Sequence, residues 1–261
     1  MKRATKQRLT RGTLYVVLVA VVVLLVFAAD WEAIRTNFLN VDVARQSWPD
    51  ILVIAARNTI IYTLIAFSLG LLGGLFLALM RLSTVAPYRW LATSFIEFFR
   101  GLPALVVIVA FGTAIPIAFG WRPPGGVTGA GLIGLSFVAA AYMAETIRAG
   151  IQAVPKGQAE AARSLGMSGP WTTVSIVLPQ AFRIIIPPLT NEFVLLIKDT
   201  SLLFVIGMAA DNRELTTFAR DGLSTYSNST PLLMAAVMYL IITLPLTRLV
   251  GYMERRTQAA R

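Results

Sequence analysis

NTIIYTLIAFSLGLLGGLFLALM, residues 58–80, runs without a charged side chain from just after Arg57 to just before Arg81. At 1.5 Å per residue, about 20 such residues cross the ~30 Å hydrocarbon layer of a bilayer, with every backbone N–H and C=O satisfied inside the helix. Other stretches read the same way. Segments 12–29, 101–121, 123–144 and 222–247 are free of charge, while 184–210 is interrupted by Glu192, Lys198 and Asp199. The expected fold is an all-α membrane protein with six transmembrane helices.

The composition agrees. Apolar residues make up 56% of the 261, charged residues 14%, and mean hydropathy is +0.71; a soluble domain carries about a quarter charged residues. The chain has no Cys and no His, which excludes disulfides, thiolate or imidazole metal sites and His-activated nucleophiles. Its net charge of +10 would fit nucleic acid only if the basic residues lined a solvated face. They follow the membrane topology instead. With the N-terminus in the cytoplasm, the cytoplasmic segments hold Lys2, Arg3, Lys6, Arg8 and Arg11, then Arg81 and Arg89, then Arg148, Lys156, Arg163 and Arg183, and finally Arg248, Arg255, Arg256 and Arg261. The opposite loops hold only Arg35, Arg45, Arg122, Arg213 and Arg220. This is the positive-inside bias of a multi-pass membrane protein with both termini cytoplasmic, and no nucleic-acid partner is expected.

Segment 12–29 has two readings, a cleavable signal peptide or a retained helix; Phe27 is too large for a small-x-small cleavage site and favours retention. The chain divides into 1–50 (basic N-terminus, leading helix and extracytoplasmic loop), a transmembrane domain over 51–256, and a tail over 257–261. Trp31, Trp48, Trp90 and Trp121 lie near span ends and read as interfacial anchors.

The connection between the fourth and fifth spans is longer than the usual link between bundle helices. It reads as two short helices. Pro155 suits a first helical position, Lys156 to Leu165 are good helix formers, and Gly166 supplies a left-handed stop. A second helix is expected to start after Ser168, with Pro170 in its first turn, and to end at Leu178 before Pro179. Alanines at 159, 161 and 162 keep the first helix thin enough to enter a groove on another protein, and make it a poor membrane-surface helix.

Glu160, Ala161, Ala162, Gly166, Ile176, Leu178 and Pro179 fit E-A-A-x3-G-x9-I-x-L-P. That pattern resembles the cytoplasmic signature of the membrane permease subunits of bacterial ABC importers. The surrounding RAGIQAVPKGQAEAARSLGMS (148–168), FFRGLP (98–103), LPQ (178–180) with Pro187 and Pro188, and KDTSL (198–202) resemble the polar amino acid branch, of the glutamate and glutamine type. The resemblance implies a five-helix core, to which this chain adds one leading helix, and a cytoplasmic coupling helix between spans four and five. It implies that Pro155, Gly157, Glu160, Ala161, Ala162, Arg163 and Gly166 serve coupling to an ABC ATPase subunit. It also implies an extracytoplasmic amino acid binding protein and a second permease, identical or related. ATP and Mg belong to the partner: no Gly-Lys pair occurs in the chain, so no Walker A loop exists here and no catalytic residue is expected.

Ionisable and amide groups inside a span cost about 2.5–3.5 kcal/mol on insertion scales, so Glu97, Arg100, Asn191, Glu192, Lys198 and Asp199 are expected to face the bundle interior or a wet cavity. Asn191 and Lys198 share one helix face, Glu192 and Asp199 another, and Glu97 can pair with Arg100 at i and i+3. Two roles remain open for this set: buried pairs that fix packing, or contacts along a substrate pathway, where Lys198 or Arg100 would meet a carboxylate. Two other functions compete with an ATP-driven permease. One is an ion-coupled amino acid carrier; the other is a structural membrane anchor.

Overall fold

The computed structural model describes residues 3–259, with side chains for 11–256. No strand occurs among the described residues. Helix α1 (Arg3–Ala28) leads into two short helices, α2 (Trp31–Phe38) and α3 (Val41–Asp50). Asp30 and Asn40 cap these with their side chains, Asp30 accepting from the Ala33 N–H and Asn40 from Asp42 and Val43. A π turn at Ile51–Ala56 runs on into α4 (Arg57–Leu82). Then come α5 (Ala86–Gly101), α6 (Ala104–Val109), a π turn (Ala110–Ala114) and α7 (Ile115–Phe119). Next are α8 (Gly126–Gln152), α9 (Lys156–Ser164), α10 (Gly169–Thr172), a π turn (Thr173–Val177) and α11 (Leu178–Asp199). A 3-10 turn (Thr200–Ile206), α12 (Leu215–Tyr226) and α13 (Thr230–Ala259) complete the chain.

The centre is the parallel pair α4 and α8. Tyr62 and Ala66 pack with Leu132, Leu135 and Ala139, while Leu77 and Ala78 pack with Ala144 and Ile147. Glycines make the approach possible. A Cβ at Gly70 would lie 2.7 Å from the Ala139 Cβ, and one at Gly74 would lie 2.9 Å from the Met143 Cβ and 3.0 Å from the Ala140 carbonyl oxygen. Small residues let backbones close in where lipid offers no hydrophobic drive between helices. Helix α11 runs antiparallel to this pair, with Ala181 and Ile185 in the cluster of Ala144 and Ile147, and Leu196 beside Tyr62 and Leu203. The bundle therefore has two poles. One holds Leu82, Gln152 and α9; the other holds Arg57, the end of α11, and α12.

The structure departs from the expected elements in four places, two of them spans. The third is not one helix over 101–121: α5 and the arm Ala104–Phe119 meet at 104°. Pro103 has no N–H and forces Leu102 into an extended conformation (φ −98, ψ 141), so the chain turns there. The sixth begins at Thr230, not 222, because Gly222 belongs to α12 and Ser227 reverses the chain at φ 47. The helix expected to start after Ser168 does not stop before Pro179. It continues from α10 through the π turn into α11, whose first turn contains Pro179; a widened turn relieves the clash of a proline ring with the carbonyl four residues back. Pro155 is the N-cap of α9 at ψ 129, one place before its expected helical position.

Among the described residues, four helices are long and apolar enough to cross a membrane, or five if the bent pair of α5 and Ala104–Phe119 counts as one. Helix α11 has 22 residues, with Arg183, Glu192, Lys198 and Asp199 along it, and is not among them. Segment 11–28 of α1 buries nothing against the rest of the chain. Trp31 Nε1 donates to the Val26 carbonyl oxygen at 2.8 Å across the junction of α1 and α2.

Candidate functional site

Helix α9 stands clear of the bundle. Ala162, 5% exposed, is its one buried residue among those described. Glu160, Ala161, Arg163 and Gly157 are exposed, as are Pro155 and Gly166 at its two ends. The helix ends in a paired closure: Gly166 N–H donates to the Arg163 carbonyl at 3.0 Å, and Met167 N–H to the Ala162 carbonyl at 3.2 Å. This six-to-one and five-to-two pattern needs a left-handed residue after the cap. Gly166 supplies it at φ 86. Leu165 is 86% exposed at the tip and Trp171 is 61% exposed on α10. Sequence reasoning passed over both, although a leucine beside a left-handed glycine on an otherwise alanine-rich rod was a visible signal.

At the same pole, Arg81 of α4 bonds Glu145 of α8 at 2.5 Å. Arg148 bonds the same carboxylate through Nη2, and through Nε at 3.1 Å, and also reaches Gln152. One carboxylate between two guanidiniums joins the ends of α4 and α8. Sequence reasoning did not single out Glu145, although Glu145 and Arg148 stand at i and i+3 just past the apolar run.

The six intramembrane candidates divide. Arg100 is exposed and lies 5.4 Å over the Tyr142 ring. It acts electrostatically on both Glu192 of α11 and Glu145 of α8. Glu192 also interacts with Asp199, and Asp199 with Lys198. Glu192 and Asp199, seven residues apart, share one face of α11. Glu97 does not pair with Arg100; among the described residues the ion pairs are Arg81 with Glu145, Arg148 with Glu145, and Arg213 with Asp221. The guanidinium lies over the Tyr142 ring instead. Asn191 and Lys198 are exposed.

At the opposite pole the structure adds a carboxylate that the sequence did not mark. Glu214, 0% exposed, caps α12. Thr216 N–H and Thr217 N–H each donate to it at 2.6 Å, Thr217 Oγ1–H at 2.7 Å and Tyr239 Oη–H at 3.1 Å. Burial raises its pKa above the ordinary carboxylate value, and these donors oppose the rise. Next to it, Asn58 Nδ2 donates to the Asp211 and Arg213 carbonyls, and Tyr62 Oη–H to the Asn212 carbonyl, so the loop before α12 is clamped onto α4.

Replacing Glu214 with Ala orphans buried donors, at about 1–3 kcal/mol for each unsatisfied group. A lower thermal midpoint is expected in detergent. Because the folded pKa lies above the unfolded one, the stability that Glu214 contributes falls as pH rises from the ordinary carboxylate range through the raised value. The gap in midpoint between wild type and variant should narrow over that window. A widening gap would contradict the assignment.

Among the described residues, no group of three or more His, Cys, Asp or Glu side chains could hold a metal ion. The family of binding-protein-dependent transport system inner membrane components matches residues 70–259. The probable glutamine ABC transporter permease protein of Bacillus subtilis is 36% identical over 201 residues, covering 77% of this chain and 90% of the relative. The glutamate/aspartate import permease protein of Escherichia coli is 36% identical over 205 residues, covering 76% and 90%. A crystal structure of an amino acid ABC transporter with histidines superimposes with a TM-score of 0.72 at 38% identity, covering 81% of this chain and 95% of that one.

Proposed function

The chain belongs to the family of binding-protein-dependent transport system inner membrane components, the membrane permease subunits of ABC importers, and from that premise we propose that it moves glutamine or glutamate across the inner membrane by alternating access, driven by a separate ABC ATPase. The cargo follows the relatives named for glutamine and for glutamate/aspartate.

The observation that carries the mechanism is α9. It is a short rod outside the bundle, held by Ala162, and it presents Glu160, Arg163 and a largely bare Leu165. An exposed leucine beside exposed charged side chains is a surface for another protein. On this reading the pole of α9 is cytoplasmic, both termini lie on that side, and residues 51–256 form the transmembrane domain. The bent pair and α11 each count as a span, giving six with α1. Pro155, Gly157, Glu160, Ala161, Ala162, Arg163 and Gly166 dock the ATPase, on which ATP and Mg act.

Closure of the ATPase dimer would shift α9. The shift passes directly to α8 on one side and through α10 to α11 on the other. ATP moves the equilibrium between inward and outward access because it binds one state better. Arg100, Glu192, Lys198 and Asp199, with Asn191 and Glu97, line the pathway, which two permease chains would enclose. Charges of both signs suit a zwitterionic solute: a guanidinium for the carboxylate and a carboxylate for the ammonium.

Uptake into proteoliposomes holding this chain, its ATPase and its extracytoplasmic binding protein tests the reading. Uptake of labelled glutamine or glutamate should require ATP and survive collapse of ion gradients. Flux that persists without ATP and vanishes with the gradient would establish an ion-coupled carrier instead, and an intact complex that moves neither amino acid would leave the structural anchor.

A further inference from the structure

Helices α2 and α3 are two copies of one ten-residue pattern. DWEAIRTNFL (30–39) and NVDVARQSWP (40–49) align position for position: a capping Asp or Asn, an apolar residue, an acid, two apolar residues, Arg, two polar residues, an aromatic ring and an apolar residue. Spacings of four and three place Trp31, Arg35 and Phe38 in one row on α2, and Val41, Arg45 and Trp48 in the matching row on α3. All six are exposed. The side turned to the bundle also matches: Ser47 of α3 is buried, and its counterpart Asn37 accepts through its carbonyl from the Ser229 N–H at 2.8 Å.

The repeat is held where three spans begin or end. Only Ala29 and Asp30 separate it from α1, and α3 runs through the π turn Ile51–Ala56 into α4. At the start of α13, Asn40 N–H donates to Thr230 Oγ1 at 3.0 Å and Asn228 Nδ2 donates to the Thr36 carbonyl at 2.8 Å. The Trp31 indole shows where the exposed row looks, because its N–H reaches back to the Val26 carbonyl inside the apolar segment of α1. The row headed by Trp31 therefore borders the edge of the hydrocarbon, the level at which Trp rings settle. An arginine in such a row lays its stem along lipid and leaves its guanidinium at the headgroups. Neither Arg35 nor Arg45 forms an ion pair among the described residues, although Glu32 and Asp42 stand three positions before them on the adjoining face.

We propose that α2 and α3 form a docking surface for phospholipid headgroups in the leaflet opposite α9, each copy taking one phosphoethanolamine group, with the phosphodiester on Arg35 or Arg45 and the ammonium on Glu32 or Asp42. One acid stands by each arginine, so the surface suits a zwitterionic headgroup better than a purely anionic one. Through Thr36 and Asn40 the bound lipid steadies the first turn of α13. The proposal rests on the membrane reading of α1 and α4 and is independent of the cargo and of the ATPase.

The chain has no native cysteine, which permits single labels. In the full complex in phospholipid nanodiscs, an NBD fluorophore on Phe38→Cys or Trp48→Cys should be quenched at least three-fold more by a lipid spin-labelled at its headgroup than the same fluorophore on Gln46→Cys, which lies on the polar face of α3. A label on Val19→Cys in α1 should respond to a spin label deep in the acyl chain. Equal quenching at 48 and 46, or a signal at 48 that changes only when the extracytoplasmic binding protein is added, would overturn the lipid surface alone. No acyl-chain quenching at 19 would defeat the membrane reading beneath it.

Native mass spectrometry of the complex in detergent, supplied with phosphatidylethanolamine or phosphatidylglycerol in turn, reads the headgroup. Wild type should retain about two more phosphatidylethanolamine molecules per permease chain than Arg35→Gln/Arg45→Gln, one for each guanidinium. It should also hold phosphatidylethanolamine at least three-fold more tightly than phosphatidylglycerol. Both arginines are exposed, so their replacement leaves the fold intact. Phosphatidylglycerol held equally well or better, or lipid retention unchanged in the variant, would overturn the headgroup assignment.

Discussion

Glu160→Arg, and separately Gly166→Val, should lower substrate-stimulated ATP hydrolysis by the reconstituted complex at least ten-fold, with the permease still inserted and its thermal midpoint nearly unchanged. Glu160 is exposed on α9, so reversing its charge costs the permease fold little. What it changes is the surface offered to the ATPase, where a like charge set against a complementary one repels. Gly166 acts differently. A Cβ there meets nothing within 4 Å, but φ is 86, and a β-branched residue is strained by about 1–2 kcal/mol in that region. Valine would unwind the closure that joins Gly166 to Arg163 and Met167 to Ala162, and the rod would lose its angle to α10. Because Ala162 is the only buried residue of α9 among those described, the damage stays local. Stimulated hydrolysis equal to wild type in both variants would show that α9 carries no coupling.

Gly74→Leu should prevent recovery of folded, monodisperse protein, or lower its stability by about 3 kcal/mol or more, where overpacking within a well-filled core typically costs 1–3 kcal/mol. The first carbon of the new side chain already meets the Met143 Cβ at 2.9 Å and the backbone of Ala140 and Ala144 at 3.0 Å. Backbone cannot rotate away as a side chain can, so α4 and α8 must separate along the seam that the Arg81–Glu145 bond closes. Gly251→Ala on α13 meets nothing within 4 Å and should leave the midpoint within a degree or two. A Gly74→Leu protein as stable as wild type would mean that the seam does not limit the fold.

Periodicity and charge located the apolar helices because the bilayer imposes one length on every crossing; 58–80 predicts the span of α4 almost to the residue. The same reasoning failed where backbone chemistry competes with hydropathy. Uncharged 101–121 looks continuous, yet Pro103 with its extended neighbour Leu102 splits it. Uncharged 222–247 looks continuous too, but Ser227 and Asn228 turn the chain: Asn228 Nδ2 donates to the Thr36 carbonyl and its Oδ1 accepts from Thr230 N–H. Pro179 misled in the other direction, since a π turn absorbs a proline that sequence rules treat as a stop.

At the site, the left-handed stop at Gly166 was legible because only one residue type fits that φ. The Arg100 environment was not. Its partners, Tyr142 and Glu192, come from helices more than forty positions away, and a spacing rule within one helix could name only Glu97. Glu214 was equally hidden, because its donors include Tyr239 on another helix and a buried carboxylate carries no local signature.

Contact between α9 and the ATPase is tested most directly by photo-cross-linking. In the cysteine-free chain, Gln158→Cys on α9 and Ile117→Cys on α7, 83% exposed, would each carry a benzophenone maleimide in the purified complex. Illumination should yield an adduct with the ATPase chain from position 158 and none from 117. An adduct from 117 but not from 158, or no adduct at 158 in a complex that still hydrolyses ATP, would contradict the account.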